Sequence, residues 1–304
     1  MSTIIVFGPT GKVGSLVALN VASAGHKTIL AMRDPSKPIP VLESDSNSYT
    51  RVKADLSDPA SVSAAVKETG AKSAFIYVPP GTRDALRDTL EALKDAGIEF
   101  VVFLSSYSIN GTGQELSSIP QEEIIPYMHA SVELNLKAVF GSAYVGLRAG
   151  GFATNTLAWV DGVRAGTVKL YMPKFEFDYI AEADIARVGA SILTSKDRQA
   201  IPPELLVIGP RLVTQEAAVG IIAKTIGKEV KVEELSYEQG VQFAISSGIP
   251  PFVAKYLYGK LSTGEGGFTQ ALISEGSGNI ERYTGRKAET YEDWAERNKA
   301  VFSG

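Results

Sequence analysis

Cysteine is absent from the 304-residue chain, and histidine occurs only twice, at His26 and His129. The lack of cysteine excludes disulfides, thiolate metal sites and a cysteine nucleophile, and it agrees with a reducing, cytoplasmic location. Zinc sites take three or four ligands, most of them histidine or cysteine. Two histidines that lie far apart in the sequence therefore predict no metal site.

The chain also lacks an excess of positive charge and any long apolar run. Its 30 lysines and arginines stand against 34 aspartates and glutamates, which gives a net charge of -4. Without a broad basic surface, we expect no nucleic acid and no membrane as partners. The apolar runs have the length of strands, and 44% hydrophobic residues is typical of a globular protein. We expect a small-molecule substrate as the partner, and the sequence leaves a homodimer open.

Short apolar runs alternate with stretches of helical periodicity through the first half of the chain. Strands are predicted at 3–7, 27–32, 50–54, 74–78, 99–104, 144–148 and 205–208. Helices are predicted at 12–24, 59–68, 83–96, 124–140 and 289–302. This alternation is typical of a parallel sheet covered by helices on both faces. The predicted fold class is α/β, with a doubly wound parallel (Rossmann) sheet and a smaller, mostly helical C-terminal lobe.

A glycine-rich segment with the spacing G-x-x-G-x-x-G follows the first predicted strand and opens the first predicted helix. Its residues are Gly8, Pro9, Thr10, Gly11, Lys12, Val13 and Gly14. Glycine lets the backbone approach a diphosphate closely, and the amide groups at the helix N-terminus hold the negative charge. A plain strand-to-helix turn also uses glycine, but the coincidence of strand, glycines and helix favours dinucleotide binding.

Arg33 ends the second predicted strand, nineteen residues after Gly14. Dinucleotide-binding proteins that prefer NAD usually carry an acidic residue here, which binds the ribose hydroxyls. A guanidinium can instead bind a 2′-phosphate with two parallel hydrogen bonds, and Lys12 and Lys37 could add positive charge. Asp34 next door weakens this signal, and solvated surface cations are the alternative. The sequence therefore favours NADPH as the cofactor.

The third and fourth predicted strands end in residues that suit the rest of a dinucleotide. Asp55 could accept a hydrogen bond from the adenine amino group, with Leu56 packed against the ring. A helix cap is the alternative for Asp55, but Asp58, directly before Pro59, is better placed to cap. Three residues at the end of the fourth strand are expected to line the cofactor path: Tyr77, Val78 and Pro79.

The alternation of strands and helices ends after Gly150. We expect residues 1–150 to form the NADP-binding domain and residues 151–304 to form a substrate-side lobe, parts of which return to the sheet domain. Aromatic residues of the lobe favour an apolar or aromatic substrate, although such residues more often belong to a core. They are Tyr237, Phe243, Phe252, Tyr256 and Phe268. The glycines in 264–267 could hinge a loop over the substrate or belong to an ordinary surface loop.

Several segments together resemble the NmrA-like family, an atypical branch of the short-chain dehydrogenase/reductase superfamily, over nearly the whole chain. They are 4–11, the position of Arg33, 127–133, 147–152 with Asn155, 178–186 and 291–302. The resemblance implies NADPH binding and one of two functions. One is a reductase of quinones, enones, ethers or imines, and the other is a catalytically silent protein that senses the NADP redox state.

Ordinary members of that superfamily activate a carbonyl with a tyrosine and a lysine four residues later. That pair is missing here, because the residue four positions after Tyr127 is Ser131. The expected place holds His129, with Glu133 one helical turn further along the same face. His129 could donate a proton while Glu133 orients its ring, or it could hold the nicotinamide ribose. A surface helix with a stray histidine is the alternative.

The fifth predicted strand is followed by Ser105 and Ser106, where the superfamily places a serine that binds the reacting carbonyl. Because successive strand residues point to opposite faces, the two serines cannot both face the nicotinamide. Polarity at a strand end is the alternative. We expect Phe152 and Asn155 to complete the cofactor-binding residues, together with Tyr179.

Three functions follow from these residues, and the sequence leaves all of them open. The first is an NADPH-dependent reductase that delivers hydride to a quinone, enone, carbonyl or imine. The second is a non-catalytic NADP(H)-sensing regulator, which the missing tyrosine and lysine pair favours. The third is a redox-neutral isomerase or cyclase that uses the cofactor as a scaffold. We prefer the first function.

Overall fold

A computed structural model describes residues 2–264 and 267–304. Glu265 and Gly266, two residues of the proposed hinge, lie outside the described residues. The chain divides into two compact units. The first comprises the chain up to Ala149 with Glu182–Val207 and Asn279–Arg286, and the second comprises Gly150–Ala181, Ile208–Gly278 and Lys287–Gly304. The functional roles expected for residues 1–150 and 151–304 stay predictions.

Strands and helices are numbered along the chain. The strands are β1 (Thr3–Phe7), β2 (Lys27–Met32), β3 (Tyr49–Lys53), β4 (Ser73–Ile76), β5 (Phe100–Ser106), β6 (Tyr144–Ala149), β7 (Thr167–Tyr171), β8 (Glu176–Phe177), β9 (Glu204–Val207), β10 (Val213–Thr214) and β11 (Lys231–Leu235). The helices are α1 (Lys12–Ser23), α2 (Pro59–Thr69), α3 (Arg87–Asp95), α4 (Ser108–Gly111), α5 (Ile124–Phe140), α6 (Val160–Ala165), α7 (Glu182–Thr194), α8 (Gln215–Ile226), α9 (Tyr237–Ser246), α10 (Pro251–Thr263), α11 (Gln270–Thr284), α12 (Tyr291–Arg297) and α13 (Lys299–Ser303).

The first unit is built on a parallel sheet, in which the described residues place seven strands in the order β3-β2-β1-β4-β5-β6-β9. The order reverses between β1 and β4, which pair directly. In open α/β sheets, such a switch point leaves a crevice beyond the carboxyl ends of the strands, where ligands bind. The predicted doubly wound parallel sheet is confirmed, and its switch point lies at the glycine-rich segment.

The strands are continuous apolar runs because both faces of the sheet are covered. On one face, Ile5 belongs to a buried cluster with Val62 of α2, Leu90 of α3 and Leu136 of α5. On the other face, α7 packs so closely that a Cβ at Gly189 would lie 3.7 Å from both Val17 of α1 and Phe75 of β4. Because helices cover both faces of the sheet, its strands are uniformly hydrophobic in the sequence and do not alternate between apolar and polar residues.

Two predicted helices differ from the structure. The helix predicted at 83–96 begins only at Arg87, since Ala85 and Leu86 have left-handed backbone angles, with φ of 51° and 63°. The carboxylate of Asp84 accepts hydrogen bonds from the backbone N–H of Leu86 and of Asp88, at 3.1 and 3.0 Å. The closing helix predicted at 289–302 is divided into α12 and α13 at Asn298, which is not helical.

The second unit holds two small sheets and most of its helices around an aromatic core. Strands β8 and β10 pair antiparallel, and β7 and β11 pair parallel. Its core includes Tyr179, Tyr291, Trp294 and Phe302, all nearly fully buried. None of the helices that the structure describes combines the length and the apolarity of a membrane span.

Candidate functional site

The glycine-rich segment after β1 forms a tight turn that only glycine permits at two positions. Gly8 has a left-handed φ of 69°, and its carbonyl accepts a hydrogen bond from the Gly11 N–H at 3.0 Å. A Cβ at Gly14 would lie 2.3 Å from that same carbonyl oxygen. The start of α1 therefore approaches the turn more closely than any side chain would allow, which is the backbone shape of a diphosphate cradle.

The N-terminus of α1 carries no side-chain cap and no acidic residue in its first turn. Side chains cap several other helices that the structure describes, and the capping residues include Asp58, Thr214, Ser236, Thr269 and Thr290. Open amide groups and the positive end of the helix dipole together attract an anion. Lys12, the exposed first residue of α1, adds a positive charge at this end.

A cleft of about 210 Å³ opens beyond the carboxyl ends of β1 to β4. Seven residues predicted to bind the cofactor line it: Gly8, Thr10, Arg33, Asp55, Leu56, Tyr77 and Pro79. The sequence reasoning missed seven others: Phe7, Pro9, Ala31, Met32, Ala54, Ser57 and Pro80. Each missed residue lies one or two positions from a predicted one in the sequence. A prediction that included every residue at the strand ends, and not only selected side chains, would have found them.

Arg33 and Asp55 face the cleft in charged form. Arg33 is exposed, and its neighbour Asp34 is engaged with Ser36, whose N–H and hydroxyl donate to Oδ1 at 3.0 and 2.6 Å. Hydrogen bonds from Ser57 and the nearby positive charge of Arg33 lower the pKa of Asp55. A carboxylate acceptor and a guanidinium donor therefore lie together at neutral pH. Asp34 was expected to weaken the cationic signal of Arg33. In the structure, the Asp34 carboxylate is instead hydrogen-bonded to Ser36 within its own turn.

The helix cap considered for Asp55 belongs to Asp58. Its Oδ1 accepts hydrogen bonds from the N–H groups of Ala60 and Ser61, at 3.1 and 3.3 Å. Opposite, the Tyr77 ring lies so close to Gly8 that a Cβ there would be 2.6 Å from it. Burial raises the pKa of Tyr77, so its hydroxyl stays protonated and can donate a hydrogen bond.

Other residues predicted to bind the cofactor lie outside the residues that line this cleft. Val13 is buried in α1, and Val78 packs against the buried cluster of the sheet. Phe152 and Asn155 belong to the second unit, where the Asn155 N–H donates to the Phe152 carbonyl at 3.0 Å. Their role toward a cofactor stays a prediction.

Ser105 and Glu133 form a buried pair beneath the end of β5. The Ser105 hydroxyl donates to Glu133 Oε1 at 2.6 Å, and both residues are almost inaccessible to solvent. Arg148 of β6 completes the arrangement, with Nη2 2.6 Å from Glu133 Oε2 and Nε 3.1 Å from Oε1. Of the two serines left open for the reacting carbonyl, Ser105 does not fit this role, because its hydroxyl donates inward to a carboxylate.

The predicted pairing of Glu133 with His129 is wrong. The His129 Nδ1 lies 2.9 Å from the carbonyl oxygen of Ile125, one turn earlier in α5. A carbonyl only accepts, so Nδ1 carries the proton, and in the neutral ring Nε2 is an acceptor. Burial lowers the pKa of His129, which favours this neutral form, and the ring packs beside Phe103 with centroids 6.0 Å apart. In this neutral form, the free ring nitrogen Nε2 of His129 can accept a hydrogen bond but cannot donate one.

Ser106 is the serine that remains at the carboxyl end of β5. It is half-buried, and its hydroxyl lies 2.9 Å from that of Ser108 at the start of α4. The two serines of β5 thus take opposite sides of the strand, as the alternation of strand residues requires. Arg148, which fixes the inward serine through Glu133, was not singled out from the sequence.

Residues 1–262 match the family model described as the NmrA-like family. The chain belongs to the NmrA-like family. Among its relatives, this NmrA-like protein is 34% identical to the nitrogen metabolite regulation-like protein bik4 of Gibberella fujikuroi, over 97% of this chain and 96% of that protein. The resemblance stated from the sequence motifs is confirmed.

Two further similarities show the range of this NmrA-like protein's relatives. It is 24% identical to a (4-alkanoyl-5-oxo-2,5-dihydrofuran-3-yl)methyl phosphate reductase of Streptomyces griseus, over 99% of both chains. Its fold is similar to that of the NADPH-dependent quinone oxidoreductase QOR2 of Escherichia coli, solved with NADPH, at a TM-score of 0.75 and 20% identity, covering 97% of this chain and 99% of that one. Proteins of this shape therefore include both reductases and regulators by name.

Proposed function

We propose that this NmrA-like protein is an NADPH-dependent reductase of a small apolar or aromatic substrate, such as a quinone, enone, carbonyl or imine. The observation that carries the proposal is the cleft at the switch point, where an uncapped helix, a glycine turn and an exposed arginine meet. The turn suits a dinucleotide, because Gly14 lets the start of α1 approach the Gly8 carbonyl, from which a Cβ would lie only 2.3 Å away. The similar proteins include a reductase and a quinone oxidoreductase solved with NADPH, and both support the proposed reductase function.

Each part of the cofactor has matching residues in the first unit. The amides from Gly8 to Gly14, including Thr10, Gly11, Lys12 and Val13, would hold the diphosphate. Arg33 would bind the 2′-phosphate with a planar pair of N–H donors, with Lys37 nearby. Asp55 and Leu56 would receive the adenine, and Tyr77, Val78 and Pro79 would line the path toward β5. The cofactor role expected for Phe152 and Asn155, which belong to the second unit, stays a prediction.

The reacting end is proposed to lie toward Ser106 and His129. When bound, NADPH supplies a hydride. The Ser106 hydroxyl, paired with that of Ser108, would donate a hydrogen bond to the substrate oxygen or nitrogen that gains electron density. His129, neutral and with Nε2 as acceptor, would accept a hydrogen bond from a ribose hydroxyl and orient it.

A non-catalytic NADP(H)-binding regulator is the second candidate. Two observations favour it: the relative named as a nitrogen metabolite regulation-like protein, and Ser131 in place of the lysine that follows a catalytic tyrosine. The regulator would use the same cleft, so cofactor binding alone does not distinguish the two candidates. Turnover does.

The test is a titration with NADPH and NADH, followed by an assay of NADPH oxidation. We expect NADPH to bind more tightly than NADH and to be consumed with at least one member of a panel of quinones, enones and imines. Binding without consumption across the panel would overturn the reductase and favour the regulator. No binding of either nucleotide would overturn both.

A further inference from the structure

Arg148 and Glu133 form a buried ion pair with the geometry of a fork. The guanidinium contacts both carboxylate oxygens, Nη2 to Oε2 at 2.6 Å and Nε to Oε1 at 3.1 Å, and the two side chains are 5% and 0% exposed. Nη1 donates to Asn110 Oδ1 at 3.1 Å, and Nη2 lies 3.1 Å from the half-exposed carboxylate of Glu204. Burial acts to lower the pKa of Arg148, but its bond to Glu133 gives a net rise, so the guanidinium stays charged.

Stability alone does not explain this pair. Removing two charges from water costs several kcal/mol, on the order of what their attraction returns, and apolar replacements of buried pairs are often as stable. The pair also requires a glycine in β6, because a Cβ at Gly146 would lie 2.9 Å from Glu133 Oε1. Glycine inside a strand is itself unfavourable. Two energetically unfavourable features, a buried ion pair and a glycine inside a strand, therefore occur at the same place in the fold.

The elements that the pair joins are those that carry the candidate reacting groups. Glu133 lies one helical turn from His129 on α5. Its Oε1 also accepts the hydroxyl of Ser105, the residue that precedes Ser106 in β5. Through Asn110, Arg148 reaches α4, whose Ser108 pairs with Ser106. Four elements, α4, α5, β5 and β6, are thus fastened to one another around a single guanidinium.

We propose that Glu133 and Arg148 are positioning residues that set the orientation of Ser106 and His129 at the carboxyl end of β5. Neither would touch substrate or cofactor. The kinetic part of this proposal rests on the proposed reductase function, whereas the placement of the two side chains does not. A displacement of about 1 Å at a reacting group can cost roughly 100-fold in rate, so small shifts of α5 against β5 would be enough.

The test compares the double variant Glu133→Gln/Arg148→Met with Val66→Ala. The double variant removes both charges, keeps comparable volume and leaves an acceptor for Ser105. Val66 is fully buried in the last turn of α2, so its truncation lowers stability away from the carboxyl edge of the sheet. We expect the double variant to lose roughly 10- to 100-fold in kcat with the Kd for NADPH within about twofold, whereas Val66→Ala keeps its kcat.

A second measurement does not need activity. Since His26 and His129 are the only histidines, an NMR spectrum contains just two histidine Hε1 ring-proton resonances, one from each residue. We expect the His129 resonance to move in the double variant and the His26 resonance to stay. An unmoved His129 resonance with unchanged kcat would overturn the positioning role. If the wild type binds NADPH but oxidises none, the reductase proposal fails while the resonances still decide this one.

Discussion

Gly14→Ala is the sharpest perturbation of the proposed cofactor site, because the added methyl meets backbone and not a movable side chain. The new Cβ would lie 2.3 Å from the Gly8 carbonyl oxygen and 2.9 Å from its carbon. A tolerable contact needs that carbonyl to retreat by about 1 Å, since packed atoms resist closer approach. The same carbonyl accepts the 3.0 Å hydrogen bond from Gly11 that closes the turn, so the turn must open.

The magnitude follows from three contributions. Overpacking costs about 1–3 kcal/mol and the weakened turn about 1 kcal/mol, while alanine in a helix returns about 1 kcal/mol. We expect Gly14→Ala to lower the free energy of unfolding by about 1–3 kcal/mol. Losing one charge-assisted hydrogen bond to the diphosphate costs a further 1.5–3 kcal/mol or so, which weakens NADPH roughly 10- to 150-fold.

Urea unfolding and a fluorescence titration with NADPH measure the two effects. Gly220→Ala is the matched control, because Gly220 lies in α8 with nothing within 4 Å of its added Cβ. That variant should gain about 0.5–1 kcal/mol from helix propensity and leave NADPH binding unchanged. If Gly14→Ala matches the wild type in both assays, the cradle geometry inferred for the loop is refuted.

Three further substitutions test separate parts of the proposal. Arg33→Ala should weaken NADPH roughly 10- to 150-fold in a titration and NADH by less than about twofold, with the exposed Arg286→Ala as control; equal losses would remove the 2′-phosphate assignment. His129→Ala should lower turnover in steady-state assays and weaken NADPH by up to roughly tenfold, because one hydrogen bond to the ribose is lost; unaltered turnover and affinity would assign the ring to packing alone. Burial raises the pKa of Asp178 from 3.8 to about 7, so the unfolding free energy should fall as pH rises from about 4 to 7. Asp178→Asn should flatten that slope in urea unfolding at several pH values, and an unchanged slope would show that another group causes it.

The sheet could be predicted from the sequence because its strands are buried on both faces. The bounds of β1, β2 and α5 coincide with the prediction, since uniform apolar runs and a 3.6-residue period are local signals. The start of α3 could not be predicted this way. Ala85 and Leu86 adopt left-handed angles because Asp84 binds the amides of Leu86 and Asp88, and Asn135 donates to the carbonyls of Asp84 and Ala85, at 3.2 and 3.1 Å. A contact from α5, fifty residues away, decides where that helix begins.

The candidate site shows the same difference between local and distant contacts: the cofactor cleft could be predicted from local signals, whereas the partner of Glu133 could not. Gly8, Arg33 and Asp55 each follow a strand, and parallel strands bring their carboxyl ends to one edge, so the sequence predicts the cleft. The Glu133 pairing was predicted wrongly because helical spacing points to His129, four residues earlier. Helical spacing shows which side chains share a face, but not which partner outcompetes the neighbour, and here Arg148 offers two charged donors.

That correction changes which group can handle a proton in the proposed reaction. With Glu133 committed to Arg148, the Nδ1 proton of His129 is engaged by the Ile125 carbonyl, and burial still lowers the pKa of the ring. A neutral imidazole in this state cannot supply a proton to a reduced substrate. The hydroxyl of Ser106, paired with that of Ser108, would donate a hydrogen bond to the substrate atom that gains electron density, and a proton from solvent would complete the reduction. The choice between reductase and regulator therefore depends on the end of β5 and not on the cofactor cleft, which both functions need.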